Sequence, residues 1–192
     1  MTKAQLIQSR SRSPEPDRLL LAQLADGGLH SGEDLAQVLG VSRAAVWKRL
    51  AALMARGVKL NRIRGRGYRL AQPLQLLDAD RIQAGLRPDI GAAVREIRVE
   101  FSTDSTSQRL LQAPDCHGRV LLAEFQTQGR GRRGNAWLSP LASGICMSLG
   151  WRLDPAPADA GALSILAGAA LIRALLRVGI GAVGLKWPND LV

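Results

Sequence analysis

From Asp17 onward, apolar residues recur at helical spacing. Leu20, Leu21 and Leu24 share a face, Asp17 is placed to cap it, and Asp26-Gly27-Gly28 ends the run. Ser31 with Asp34 resembles a capping box and opens a short helix carrying Leu35, Val38 and Leu39, which Gly40 closes. Val41 makes a tight turn, and Ser42 caps a longer helix with Val46, Leu50 and Leu53 on one face and Gly57 at its end. Val58 to Leu70 then alternates, with Arg64-Gly65-Arg66-Gly67-Tyr68 reading as a hairpin closed by a glycine turn.

Two short helices joined by a glycine-containing turn, followed by a hairpin, predict a winged helix-turn-helix in residues 17–72. The second helix of such a unit enters the DNA major groove by its N-terminal end. Ser42, Arg43, Ala44, Trp47 and Lys48 would face the duplex, and Arg64 and Arg66 would lie along phosphates on the wing. Charge strengthens this picture. The chain carries a net charge of +10, and Val41 to Leu70 contains Arg43, Lys48, Arg49, Arg56, Lys59, Arg62, Arg64, Arg66 and Arg69 with no Asp or Glu. A solvated basic face kept for stability or protein contacts is the plainer alternative.

Residues 1–16, rich in Ser, Arg, Gln and Pro, read as a mobile tail, and 73–90 as a linker with a short helix from Asp80 to Leu86 ahead of Pro88. Beyond it, Ile97 to Phe101, Arg119 to Gln126, Gly144 to Arg152 and Val183 to Trp187 read as strands. Ser105 caps a helix through Leu111, and Pro157 to Val178 reads as a long helix too interrupted to span a membrane. Strands alternating with helices predict an α/β domain over 91–192, so the whole is α+β: a winged helix-turn-helix followed by an α/β domain. Cys116 and Cys146 lack any metal-ligand spacing, and no metal ligands are predicted. With no apolar signal-peptide core and no membrane segment, the default location is the cytoplasm.

Three polar clusters fall at strand ends or loops, where ligands bind. Asp104-Ser105-Thr106-Ser107-Gln108 offers hydroxyls at a helix start, although capping alone accounts for most such clusters. Gly129-Arg130-Gly131-Arg132-Arg133-Gly134, followed by Trp137, combines close backbone approach with guanidinium groups and suits an anionic ligand, the plainer alternative being a solvated basic turn or a nonspecific nucleic-acid patch. Lys186, in Lys186-Trp187-Pro188-Asn189-Asp190, places a cation in an apolar run, where its charge must be paired or used; a surface lysine on an edge strand is the plainer alternative.

These motifs, together with His30-Ser31-Gly32, Ser42-Arg43-Ala44-Ala45 and Gly65-Arg66-Gly67-Tyr68, resemble biotin protein ligases of the kind that double as biotin-operon repressors. The resemblance implies that Ser105, Thr106 and Ser107 hydrogen-bond the ureido ring of biotin, with Ser107 standing where asparagine is usual. It also implies that Gln126, Gly129, Arg130, Gly131 and Arg132 bind biotin and its adenylate, and that Trp137 walls the adenylate pocket. The usual Gly-Arg-x-Trp continuation is here replaced by Asn135 and Ala136 before Trp137. Lys186 and Arg132 become the catalytic cations. Biotin and ATP with Mg²⁺ are the implied substrates, and the biotin carboxyl carrier protein of acetyl-CoA carboxylase is the implied acceptor. Double-stranded operator DNA and a ligand-promoted homodimer complete the implied partners. Family members continue beyond this segment into a small C-terminal β-barrel, so the resemblance implies a partial catalytic domain lacking that barrel. The alternative is a ligand-sensing DNA-binding repressor without ligase activity; a lipoate-type ligase ranks below it.

Overall fold

The computed structural model describes residues 15–131, 135, 137–154, 161–187 and 189–192. Helix α1 (Glu15–Leu24) starts ahead of Asp17, so Asp17 is not its cap. The Asp17 carboxylate instead accepts from Arg49 at 2.7 Å and lies 3.6 Å from an Arg56 nitrogen, partners that only the tertiary fold supplies. Helix α2 (Gly32–Leu39) has the Ser31 cap, whose hydroxyl accepts from the Asp34 N–H at 3.0 Å. Helix α3 (Arg43–Ala55) is capped in the same way by Ser42. Leu20, Leu21, Leu24, Leu35, Val46, Leu50 and Leu53 are all buried to about 1% exposure or less and form the joint core of these helices.

Strands β1 (Leu60–Ile63) and β2 (Gly67–Leu70) pair antiparallel with Leu60 opposite Leu70 and Arg62 opposite Tyr68. Gly67 is required here. Its φ is +137°, and a Cβ would run into the His30 carbonyl, a close approach that lets Tyr68 and His30 exchange two backbone hydrogen bonds of 2.9 Å. The wing is thereby tied back to the segment before α2.

Asp78 caps α4 (Ala79–Ala84). Pro88, which reads as a breaker, opens a further short helix, α5 (Pro88–Ala93), because the first helical position needs no N–H. Then come β3 (Glu96–Glu100), α6 (Thr106–Leu111), β4 (Arg119–Ala123) and β5 (Cys146–Gly150). The sheet order is β3-β4-β5; β3 and β4 are parallel across α6, whereas β4 and β5 are antiparallel. Strand β3 has the length read from sequence but starts one residue earlier, whereas β4 ends at Ala123 rather than Gln126 and β5 covers Cys146–Gly150 rather than Gly144 to Arg152.

The winged helix and this sheet share one core. Phe101 and Leu141 are buried in the same cluster as the helix leucines, and the Leu141 N–H donates to the Arg56 carbonyl at 2.9 Å. The Arg56 guanidinium lies 5.8 Å from the Phe125 ring centroid. Beside it, Glu124 is buried, and its carboxylate accepts from the Leu77 N–H at the start of the connection. Burial pushes the Glu124 carboxyl above its ordinary value, against the smaller downward pull of that N–H and of Arg18. The compact unit accordingly runs to Trp151.

Arg152–Val192 form a second unit. It contains α7 (Gly161–Arg177), β6 (Leu185–Lys186) and β7 (Asp190–Leu191). The strand read from Val183 to Trp187 is reduced to two residues paired with β7, and the hairpin is extended by two backbone bonds between Gly184 and Val192. Gly168 is the helix position against which the Leu185 side chain lies. Among the described residues, no helix is long and apolar enough to cross a membrane.

Candidate functional site

The basic face is built by α3 and the wing. Burying Val46, Leu50 and Leu53 turns Arg43, Ala44, Trp47 and Lys48 outward, all exposed, with Ser42 exposed at the N-terminus. Arg43 lines one cleft with Arg62, Arg66, Tyr68 and Glu33, so helix and wing present guanidinium groups to the same space. Arg64 is exposed at the hairpin tip. Trp47 stacks on Tyr68 with centroids 6.4 Å apart and planes 28° from parallel, and the Arg62 guanidinium sits 5.2 Å from the Trp47 ring. Arg62 is one of the nine basic residues between Val41 and Leu70, where sequence alone assigns it no particular role; the hairpin register sets it opposite Tyr68.

The polar cluster at the start of α6 meets the loop after β4. Gln126 Oε1 accepts from both the backbone N–H of Thr106 (2.8 Å) and its hydroxyl (3.2 Å). The Thr106 hydroxyl also shares a 2.8 Å hydrogen bond with the Ser148 hydroxyl. Ser148 lies on β5 between buried Cys146 and Gly150, and sequence reasoning missed it because its neighbours Met147 and Leu149 dominate that strand. The Ser105 hydroxyl caps α6 weakly, 3.5 Å from the Gln108 N–H, and lies 3.1 Å from the Ser107 hydroxyl. Ser105 and Thr106 are buried and Ser107 is exposed. Thr103 and Gln126 form a parallel bridge, reinforced by the Thr127 N–H donating to the Thr103 carbonyl at 2.9 Å. Within this polar patch, Thr106, Gln126 and Ser148 thus form one hydrogen-bonded group and Ser105 with Ser107 a second beside it, with the Asp104 carboxylate at the edge accepting from the Ser105 N–H at 2.7 Å.

The glycine-arginine loop begins directly beyond it. The Trp137 N–H donates to the Gly129 carbonyl at 3.0 Å, and the Gly131 N–H to the Asn135 carbonyl at 2.7 Å, so the two limbs of the loop meet at a neck. Gly129 approaches the Gln126 amide nitrogen closely: a Cβ there would stand 3.4 Å from it. Arg130 is exposed, as is Trp137 at 59%. Arg132 lies outside the described residues. Lys186 belongs to the second unit, exposed on β6 with Asp190 as its Cα partner across the hairpin. Asn189 donates to the Asp190 carboxylate at 3.3 Å. Among the described residues, no group of three or more His, Cys, Asp or Glu gathers as a metal site. Both cysteines are free thiols.

Residues 18–69 match the model of an HTH domain, and residues 98–192 that of the Biotin/lipoate A/B protein ligase family. Over 174 residues, 90% of this chain, it is 43% identical to the bifunctional ligase/repressor BirA of Salmonella typhimurium and 41% identical to that of Escherichia coli. The namesake from Bacillus spizizenii is 32% identical over 177 residues, 92% of this chain and 54% of that protein. The chain spans about half the length of these relatives, 52% for the first two.

Proposed function

Because residues 98–192 belong to the biotin/lipoate A/B protein ligase family and follow a helix-turn-helix domain, we propose that this protein activates biotin with ATP, transfers it to a carrier protein, and represses transcription in response. In the first step a biotin carboxylate oxygen attacks the α-phosphorus of ATP, forming biotinyl-5′-AMP and releasing pyrophosphate. In the second, a lysine amine of biotin carboxyl carrier protein attacks the activated carbonyl, AMP leaves, and the amine loses its proton. Neither step needs a nucleophile from this chain.

The observation that carries the reading is the hydroxyl- and amide-lined patch around Gln126 lying immediately beside the glycine-arginine loop. The ureido ring of biotin is neutral with both donors and acceptors, and the side chains of Thr106, Ser105, Ser107 and Gln126 supply matching neutral groups, while the nearby Asp104 carboxylate is held by the Ser105 N–H and the Thr103 hydroxyl. Gly129, Arg130, Gly131 and Arg132 suit the phosphate of the adenylate, with Trp137 against its base. Lys186 would neutralise charge shared between carboxylate and α-phosphate, so catalysis comes from holding two anions together. Magnesium would accompany ATP and offset charge on its phosphates.

With no acceptor present, the adenylate stays bound and favours a homodimer, which sets two winged helices on a two-fold operator. Ser42, Arg43, Ala44, Trp47 and Lys48 belong to the groove-facing helix, Arg64 and Arg66 to the wing. Work on DNA and a carboxylase carrier places the protein in the cytoplasm. Biotin-dependent exchange of labelled pyrophosphate into ATP tests the ligase half, and fluorescence anisotropy of duplexes at several salt concentrations tests the repressor half. Adenylation without salt-dependent duplex binding would leave only the enzyme; biotin binding without exchange would leave a sensing repressor.

A further inference from the structure

Arg62 and Tyr68 are direct partners across the wing hairpin, so their side chains leave the same face, the one on which Leu60 and Leu70 join the core. Both reach the ring of Trp47, which comes from the recognition helix: Tyr68 by stacking, Arg62 by laying its guanidinium over the indole. Trp47 is 44% exposed, so it contributes little to the core, and its ring contacts with Tyr68 and Arg62 come from the wing. A tryptophan has one polar group, an N–H donor, with which to read a base. A guanidinium stacked on an aromatic face, by contrast, keeps its N–H edge available for a phosphate. Arg62 lines the same cleft as Arg43 and Arg66.

On the reading of this domain as a DNA-binding unit, we propose that Trp47 is a positioning residue that fixes the wing against the recognition helix and aims Arg62 at the phosphate backbone, rather than a reader of bases. Two consequences separate this role from base reading. Removing the flat ring should loosen the wing even without DNA, and it should lower the number of phosphate contacts although no charge is removed. Replacing indole by phenyl should do both to a smaller extent, because a smaller stacking face survives while the N–H is lost.

The experiment uses the whole chain with Trp47→Leu and Trp47→Phe. Trp47 lies outside the buried core, so both variants keep the helices, as far-ultraviolet circular dichroism would verify. Without DNA, the amides of His30 and Tyr68, which tie the wing down, should exchange about tenfold faster in W47L while core amides of α3 do not change. In W47F they should stay within about threefold of the parent. Against a panel of duplexes, W47L should bind all of them more weakly, with the slope of log K against log salt reduced by about one to two, and W47F should lose less of both affinity and slope than W47L, with the ranking of duplexes preserved. Unchanged wing exchange in W47L overturns the proposal, as does a W47F variant whose preference among duplexes changes while its wing remains protected. If the parent binds no duplex, the DNA reading fails, and the exchange data still decide whether Trp47 holds the wing.

Discussion

A single oxygen, Oε1 of Gln126, accepts both the backbone N–H and the hydroxyl of Thr106. A donor pair on one atom settles which way the amide points, since the NH₂ group could not accept either bond. The Gln126 nitrogen is therefore directed to the neck of the glycine-arginine loop, beside Gly129. The helix that begins at Thr106 and the loop that follows β4 are joined through this one side chain.

That orientation makes Gln126→Glu a selective probe. Glutamate keeps an oxygen for Thr106 but replaces the NH₂ donor with an acceptor, so the fold should persist while biotin binding suffers. A lost hydrogen bond together with an unpaired ligand acceptor corresponds to about 1–3 kcal/mol, or roughly ten- to a hundredfold in Kd. Titration calorimetry with biotin would measure it, and an affinity equal to the parent's would remove Gln126 from the binding site.

Much of this arrangement can be read from the residues, and what cannot be has a physical reason. Ser31 and Ser42 announce their helices because a cap bonds to an N–H only three residues away. Asp17 looks like another cap, yet its partners Arg49 and Arg56 become neighbours only when α3 folds back on α1. Ser148 is invisible in the same sense: a lone hydroxyl on an apolar strand gains meaning only opposite Thr106. Lys186 reads as a cation within an apolar strand, but the strand is two residues long and the lysine is exposed. The shared core between the winged helix and the sheet also rests on distant pairs, among them Arg56 with Leu141, which no local pattern encodes.

Gly57 tests that shared core. Its φ is +97°, and a Cβ would stand 2.6 Å from the Pro140 Cβ, so alanine meets both backbone strain and a clash where α3 ends. Gly57→Ala should lower stability by about 1–3 kcal/mol. Urea unfolding would show a lower midpoint. An unchanged midpoint would mean that the Pro140-Leu141 segment yields freely and that the winged helix is not locked to the sheet.

Glu124 should give the protein a pH-dependent stability of predictable sign. Its folded-state pKa is raised by burial, so between the unfolded value and that higher folded value the native state holds the extra proton. Its contribution is most favourable at acid pH, below the unfolded value, and is lost as pH rises through the folded one. Glu124→Gln cannot ionise and still offers an oxygen to the Leu77 N–H. The stability difference, variant minus parent, should therefore grow from pH 4 to pH 8 in paired urea titrations. A difference independent of pH would show the carboxylate to be equally comfortable in both states.

Lys186 stands exposed opposite Asp190, with an apolar neighbour on one side and Trp187 on the other. A lysine held for structure alone would pair with that carboxylate and be worth little at such exposure. A lysine that meets charge shared between carboxylate and α-phosphate contributes mainly in the transition state, and such an interaction appears in rate more than in ground-state binding. Lys186→Ala should then slow biotinyl-adenylate formation by about 10²- to 10³-fold while changing biotin affinity far less. Arginine should restore it only in part, because a planar fork does not replace a compact ammonium. Pyrophosphate release in single-turnover reactions, beside calorimetric biotin titration, separates the two quantities. Equal rates for the parent and the alanine variant would reduce Lys186 to a surface residue of its hairpin and favour a protein that senses biotin without activating it.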